Sequence, residues 1–219
     1  MQDQRAEVDW RDGVPVARVF EDPYFSLSDG LEEARHVFLA GNDLPGRFAD
    51  GFRIAELGFG TGLNLIAAVA AWGDRPGTFR FTSFEAFAMT EADRATALAA
   101  FPDIAGLAAD LARAISYDVP FRFGPAEVEI LGGDARQRLP QWDGMADAWF
   151  LDGFAPARNP DLWHADLMSE VARHTAAAGT FATYTAAGSV RRALDAAGFE
   201  VTRSPGFGRK RHMSRGRRR

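Results

Sequence analysis

Residues 56–62 read Glu-Leu-Gly-Phe-Gly-Thr-Gly, and no other stretch limits the fold so tightly. The apolar run Phe52–Leu57 precedes it and Leu63–Val69 follows, so the unit reads strand, tight glycine turn, helix. That is the phosphate- or nucleoside-binding opening of a doubly wound α/β sheet. A dinucleotide fingerprint, G-x-G-x-x-G, would place its third glycine where Leu63 stands. Here the third glycine is Gly62, after Gly58 and Gly60, and an acid, Glu56, stands two residues before the first. A turn that only packs a helix onto a sheet would have the same glycines, so the other strand ends decide the matter.

Three further strands end in acids. Thr78–Phe84 is rich in β-formers and closes on Glu85, 23 residues after Gly62, near the spacing at which a second-strand carboxylate reaches a ribose. A carboxylate accepting from both ribose hydroxyls makes two charge-assisted hydrogen bonds. Val128–Leu131 runs into Gly132-Gly133-Asp134-Ala135, where Asp134 either meets an adenine amino group or caps the short segment Ala135–Leu139. Asp147–Leu151 delivers Asp152 to the carboxyl edge, followed by the rigid loop Gly153-Phe154-Ala155-Pro156-Ala157-Arg158-Asn159-Pro160. Catalytic groups of open α/β sheets sit at that edge.

The pattern E-x-G-x-G-x-G resembles motif I of S-adenosylmethionine-dependent methyltransferases, and an apolar strand ending in an acid before a proline loop resembles motif IV of amino-group methyltransferases. A sulfonium and an amino-acid tail lying on backbone need the room that glycine leaves, with Glu56 facing the cationic end directly or through water. The block Phe150-Leu151-Asp152-Gly153-Phe154-Ala155-Pro156-Ala157-Arg158-Asn159-Pro160-Asp161-Leu162-Trp163 is more specific. It is similar to the signature of the methyltransferase domain of the MnmC family, the tRNA 5-methylaminomethyl-2-thiouridine biosynthesis enzymes. Tyr24-Phe25-Ser26, Gly30–Glu33, Val37–Asn42, Thr185–Arg192 and Gly206–Met213 agree in order, so the resemblance runs from about Trp10 to Met213. Where the family has Glu-Lys-Phe-Pro after the second strand, this chain has Glu85-Ala86-Phe87-Ala88.

The resemblance implies methylation of the amine of 5-aminomethyl-2-thiouridine at the tRNA wobble position, with S-adenosyl-L-methionine as cofactor and tRNA as partner. It implies a cofactor site of Glu56, Gly58, Phe59, Gly60, Gly62, Asn64, Glu85, Ala86, Phe87, Gly133, Asp134, Ala135, Asp152 and Phe154, and Asp152 as the catalytic group. The acceptor side is expected at Tyr24, Glu33, Pro156, Arg158, Arg209, Lys210 and Arg211. Bifunctional members continue into a flavin-dependent oxidoreductase domain, for which these 219 residues offer no second fingerprint. A free-standing enzyme of the MnmD kind, or a fragment, without flavin or metal, is the expectation. Methylation of another amine, in a protein or small molecule, and nucleoside binding without catalysis remain open.

Bulk properties fit this reading. The length suits one α/β domain. The absence of cysteine removes thiolate chemistry and disulfides and fits a cytoplasmic protein. His36, His164, His174 and His212 have no metal-ligand spacing. Residues 203–219 hold eight of the 25 basic residues and no acid, leaving 17 against 30 acids before them. An acidic body with so basic an end suggests a polyanion partner or a solvated tail.

Along the chain, Asp12-Gly13 predicts a hairpin between Val8–Arg11 and Val14–Phe20. Ser28-Asp29-Gly30 opens a helix over Leu31–Ala40. Thr90–Phe101 and Ile104–Ile115 predict two helices inserted beside the cofactor edge. Leu162–Ala176 and Val190–Ala196 predict helices, and Thr180–Tyr184 and Phe199–Arg203 predict strands. The expected architecture is a Rossmann-like α/β domain over 51–213, a mainly parallel seven-strand sheet whose antiparallel last strand includes Arg209–Arg211. A hairpin and helix over 1–50 pack on it, and 214–219 form a basic tail.

Overall fold

The computed structural model describes residues 5–26 and 29–219. The N-terminal hairpin forms as predicted: β1 (Val8–Arg11) pairs antiparallel with β2 (Val14–Ala17). Asp12 and Gly13 both take positive φ, 51° and 79°, the two-residue turn that matches strand twist. A two-residue strand, β3 (Asp22–Pro23), adds to β2 and turns the chain back over the main sheet. Ser28 lies outside the described residues. Asp29 caps α1 (Gly30–Ala34), its side chain accepting from Glu32 N. The helix then widens into a π-helical turn over Arg35–Leu39 and tightens into a 3₁₀ turn over Ala40–Asn42.

Asn42 fixes this extension to the sheet. Its amide donates to Phe38 O and Trp149 O, and its oxygen accepts from Thr180 Oγ1 at 2.6 Å. Arg47 adds bonds to Asn42 O and Asp147 O. A fully buried amide is tolerated only when satisfied, and here it ties the extension to two strands.

The main sheet contains β4 (Phe52–Leu57), β5 (Phe79–Glu85), β6 (Phe121–Phe123), β7 (Ala126–Gly132), β8 (Ala146–Leu151), β9 (Thr175–Thr183), β10 (Phe199–Pro205) and β11 (His212–Arg218). Their spatial order is β10-β11-β9-β8-β4-β5-β7-β6. The α/β class and the antiparallel last strand are borne out: β11 pairs antiparallel with both β9 and β10. The sheet has eight strands rather than seven. The extra one is β6, a three-residue antiparallel edge on β7, too short to show a period of its own.

Helices cover both faces. On one side α2 (Leu63–Trp72) lays Leu65, Ile66 and Val69 into a cluster with Phe79, Phe81 and Phe150. The predicted insertion forms α3 (Glu91–Leu98) and α4 (Ala105–Ala114), and Leu111 joins the same cluster. On the other side α6 (Ala165–Arg173) and α7 (Gly188–Ala196) bury Leu167, Val171 and Leu194 against Trp149, Phe181 and Phe199. Each such side chain contributes roughly 1.5–3 kcal/mol when fully buried. The helix predicted over Leu162–Ala176 is split: Pro160–Trp163 is a 3₁₀ turn, α6 ends at Arg173, and β9 already begins at Thr175.

Two readings of the basic end need correction. Arg209–Arg211 lie in the turn between β10 and β11, not in a strand. Ser214–Arg218 are not a tail: they pair with Thr180–Thr183 of β9 and with Phe199–Arg203 of β10. The arginines find partners at the surface, Arg215 with Asp43 and Arg219 with Asp195. Removing Ser214–Arg219 should therefore cut β10 away from the sheet and abolish the cooperative melting transition. A truncated protein that melts like the full chain in circular dichroism would contradict this placement.

Candidate active site

Strand order reverses beside β4, whose neighbours are β5 and β8, and ligands of open α/β sheets bind outside the carboxyl ends at such a point. There the protein has a cavity of about 1340 Å³. A drug-sized ligand needs about 300–1,000 Å³, so the space admits two occupants.

The parallel register of β4 and β8 pairs Leu57 with Leu151, which sets Gly58 beside Asp152. Asp152 N donates to Leu57 O at 3.1 Å. Gly58 has φ 88°, and a Cβ there would overlap the Asp152 carbonyl oxygen. The neighbouring strand end by itself requires this glycine, which also lines the cavity. Gly62, φ 80°, faces Phe59 and Leu111 and does not line the cavity. Gly60 does line it, under the Tyr24 ring.

Glu56 is 1% exposed and lies beneath the floor. It does not reach the cavity itself. Its two oxygens accept from Asn64 Nδ2 at 2.9 Å and Ser83 Oγ at 2.7 Å. The other hydrogen of the Asn64 amide goes to Asp152 Oδ2 at 2.7 Å. Burial pushes Glu56 up to about 8, against the pull of the Ser83 and Asn64 donors.

Asp152 faces the cavity. Burial raises it from the ordinary carboxylate range to about 7; Asn64 and Lys210 pull it down, and Glu33 and Asp22 push it up. Glu85, also buried, accepts from Gly60 N at 2.8 Å and Phe87 N at 2.7 Å. A carboxylate has about four acceptor sites, so even with the Phe59 backbone donor beside it Glu85 keeps acceptor capacity for the cavity it lines. Burial raises its pKa, opposed by the backbone donors.

Phe59, Ala86, Phe87, Gly133, Ala135, Phe154, Tyr24 and Glu33 also line the cavity. Asp134 does so while capping α5 (Ala135–Arg138): it accepts from Arg136 N and pairs with the Arg136 guanidinium, which holds its carboxyl below the usual range. Of the expected acceptor side, Arg209 and Lys210 reach the rim, but Pro156, Arg158 and Arg211 do not line it. Arg158 instead pairs with Glu21. Trp163 is core, its indole N–H donating to Phe154 O.

A family model of S-adenosyl-L-methionine-dependent methyltransferases matches residues 107–219, over half of the chain. The chain belongs to this methyltransferase family. The tRNA 5-methylaminomethyl-2-thiouridine biosynthesis bifunctional protein MnmC of Chromobacterium violaceum is 44% identical over 99% of this chain and 35% of its own length. The protein of that name from Pseudomonas aeruginosa PAO1 is 46% identical over 97% of this chain and 35% of its own length. The chain thus spans about a third of the length of these relatives. Among solved structures, MNMC2 from Aquifex aeolicus superposes with TM-score 0.75 at 27% identity, covering 98% of this chain and 71% of that one. Precorrin-6y C5,15-methyltransferase from Geobacter metallireducens shares the fold, with TM-score 0.55 at 14% identity over 94% and 96% of the two chains.

Sequence reasoning placed Tyr24 and Phe154 at this methyltransferase cavity but missed Phe20, Asp22 and Tyr184, which complete its roof. Phe20, after β2, stacks on Phe154 with centroids 4.7 Å apart, and Tyr24 meets Phe154 edge-on at 5.1 Å. Asp22 Oδ2 accepts from Ala155 N at 2.7 Å. Tyr184, at the end of β9, donates its hydroxyl to Gly153 O at 2.8 Å. Two of the three missed residues are aromatic, and nothing in spacing separates roof aromatics from core ones.

The buried Glu56 makes a pH-dependent prediction. Its folded-state pKa lies above the unfolded value, so its share of stability is full at acid pH and is lost as pH rises toward and through about 8. Glu56→Gln reproduces the protonated form, accepting from Asn64 and donating to Ser83 Oγ. Relative to wild type, the variant should gain on the order of 2–4 kcal/mol between pH 5 and pH 9, read as a growing difference in Tm. Parallel Tm curves across that range would refute a neutral Glu56.

Proposed function

We propose that this methyltransferase transfers a methyl group to the primary amine of 5-aminomethyl-2-thiouridine at the wobble position of tRNA, giving 5-methylaminomethyl-2-thiouridine. The observation that carries the reading is Asp152: a cavity-facing carboxylate titrating near neutrality, walled by Phe154 and Tyr24, in a chain 44% identical to a protein named for that product.

S-Adenosyl-L-methionine supplies an electrophilic methyl on a sulfonium. The residues present fit it. Glu85 keeps acceptor sites for a ribose, Gly60 leaves backbone open to the cavity, and the floor at Asp152 carries the charge a cationic centre needs. Phe59, Ala86, Phe87, Gly133 and Ala135 would enclose the nucleoside, with Asp134 free only on the side that Arg136 leaves open.

The acceptor amine is largely protonated at neutral pH and needs a free lone pair. A base is most effective when its pKa lies near the working pH, and Asp152 meets that condition. Its carboxylate would accept the proton at Oδ1, since Oδ2 is held by Asn64. Asn64 fixes the carboxylate, and Glu56 fixes Asn64 from below. The stacked pair Phe20 and Phe154, with Tyr24, would wall the extruded base, as aromatics do for single-stranded RNA. Arg209 and Arg211, exposed in the β10–β11 turn, would meet phosphates. Action in the cytoplasm belongs to this reading.

Asp152→Asn keeps the shape and removes base and charge together, so kcat should fall by about 10²–10⁴-fold. In wild type, activity should be lost as pH falls below about 7, because the ionised form is the active one. An Asn variant with near-normal turnover at neutral pH would leave Asp152 structural.

Mass spectrometry of tRNA nucleosides tests the substrate. The aminomethyl form should be converted to methylaminomethyl-uridine. The carboxymethylaminomethyl form should not, because its arm would bring a further carboxylate against Asp22, Glu33 and Asp152 and crowd the in-line approach. Methylation of proteins or free amines with no change in tRNA would move the acceptor to another class.

A further inference from the structure

The turn between β10 and β11 brings Lys210 against a buried acid. Lys210 Nζ lies 2.7 Å from Glu33 Oε1 and 3.9 Å from the centroid of the Tyr184 ring. Glu33, on α1, is 7% exposed, and Tyr184 is fixed by its hydroxyl bond to Gly153 O, next to Asp152. A buried carboxylate beside an aromatic face is a site for an ammonium ion: the carboxylate supplies charge and a hydrogen bond, the ring its negative π face.

The two walls and the occupant differ in how they are held. Glu33 and Tyr184 belong to the folded frame, whereas Lys210 arrives on a flexible stem, with its side chain 42% exposed. With its lysine end so open to solvent, the pair adds little to stability. Leaving Glu33 buried with no cation costs considerably more. The site therefore has to hold a positive charge, and in the protein alone the charge is that of the single lysine in the sequence. Glu33, Tyr184 and Lys210 line the same cavity as Asp152.

We propose that Glu33 and the Tyr184 ring form the subsite that recognises the acceptor's ammonium group, and that Lys210 occupies it until the acceptor displaces it. The proposal rests on the reading of the acceptor as a primary amine. It assigns Lys210 an inward role, where its basic neighbours Arg209 and Arg211 point to RNA phosphate. It also accounts for selectivity: a neutral hydroxyl analogue cannot replace the lysine's charge on Glu33, so only a cation can open the site.

The lone lysine makes the test direct. Protein labelled with [¹³C]lysine gives one side-chain signal set, and the Cε methylene above Tyr184 should sit upfield through the ring current. Titration with benzylammonium should move that signal to the position of a solvated lysine, while benzyl alcohol should not. In Lys210→Met, benzylammonium and 5-aminomethyluridine should bind about tenfold more tightly, and in Glu33→Gln about tenfold more weakly. A lysine signal unmoved by benzylammonium in the wild-type protein would overturn the subsite, as would weaker ammonium binding in Lys210→Met. The second result would instead make Lys210 a direct contact of the acceptor. If benzylammonium displaces Lys210 but 5-aminomethyluridine binds no variant, the ammonium subsite stands and the uridine reading falls.

Discussion

One amide holds the centre of this site together. Parallel pairing of β4 with β8 carries Glu56 and Asp152 toward the same sheet edge, where two carboxylates would repel each other. Asn64, in the first turn of α2, gives one Nδ2 hydrogen to each, at 2.9 Å and 2.7 Å. The bridge fixes the start of the helix against both strands and orients Asp152 toward the cavity. It also divides the two acids by environment. Glu56, sealed below, is held neutral over a wide range, while Asp152, open above, titrates near 7. Two carboxylates in one network thus acquire different duties from their burial and from the donors and charges around each.

The roof depends on the floor in a similar way. The N-terminal segment braces the loop after Asp152 through Asp22 at Ala155 N, Glu21 at Arg158 and Phe20 on the Phe154 ring. Glu21 takes a positive φ of 48°, which a side chain larger than asparagine adopts at some cost, and the contacts on either side hold it there. The loop that the resemblance marks as the signature block is therefore braced from outside by residues more than 130 positions earlier in sequence.

What could be read from sequence follows from which forces leave a periodic trace. The unit at Phe52–Val69 was legible because a glycine turn between two apolar runs has few alternative structures. Glu85 and Asp152 were legible as strand ends, and both line the cavity. The reason for the glycines was not: Gly58 answers to a carbonyl brought in by strand pairing, a contact invisible until β4 and β8 are neighbours. The basic end was misread for a related reason. Ser214–Arg218 carry almost no hydrophobic signal, yet β9 and β10 supply backbone partners on both sides, and the ladder needs none from the side chains. Gly216 even faces the Phe181 ring closely enough to exclude a Cβ. Phe20 and Asp22 escaped because β3 is two residues long and offers no pattern to count.

The charge of the cavity connects these parts. Asp22, Glu33, Glu85 and Asp152 line it, set against Arg136, Arg209 and Lys210, of which Arg136 is engaged by Asp134 and Asp161 and Lys210 by Glu33. The acids near Asp152 raise its pKa, and Lys210 is the cation that lowers it. A positive group seated beside Asp152 favours its ionised form, and one taken away disfavours it. Exchange of Lys210 for another ammonium on Glu33 leaves the number of charges around Asp152 unchanged, so the base keeps its pKa while the cation beside it becomes one whose proton it can take, freeing the amine to react. A hydroxyl in that place would remove a charge, raise Asp152 further and leave Glu33 buried without a partner. Selection for an amine is then a property of the whole acidic frame, set by where the fold buries its carboxylates.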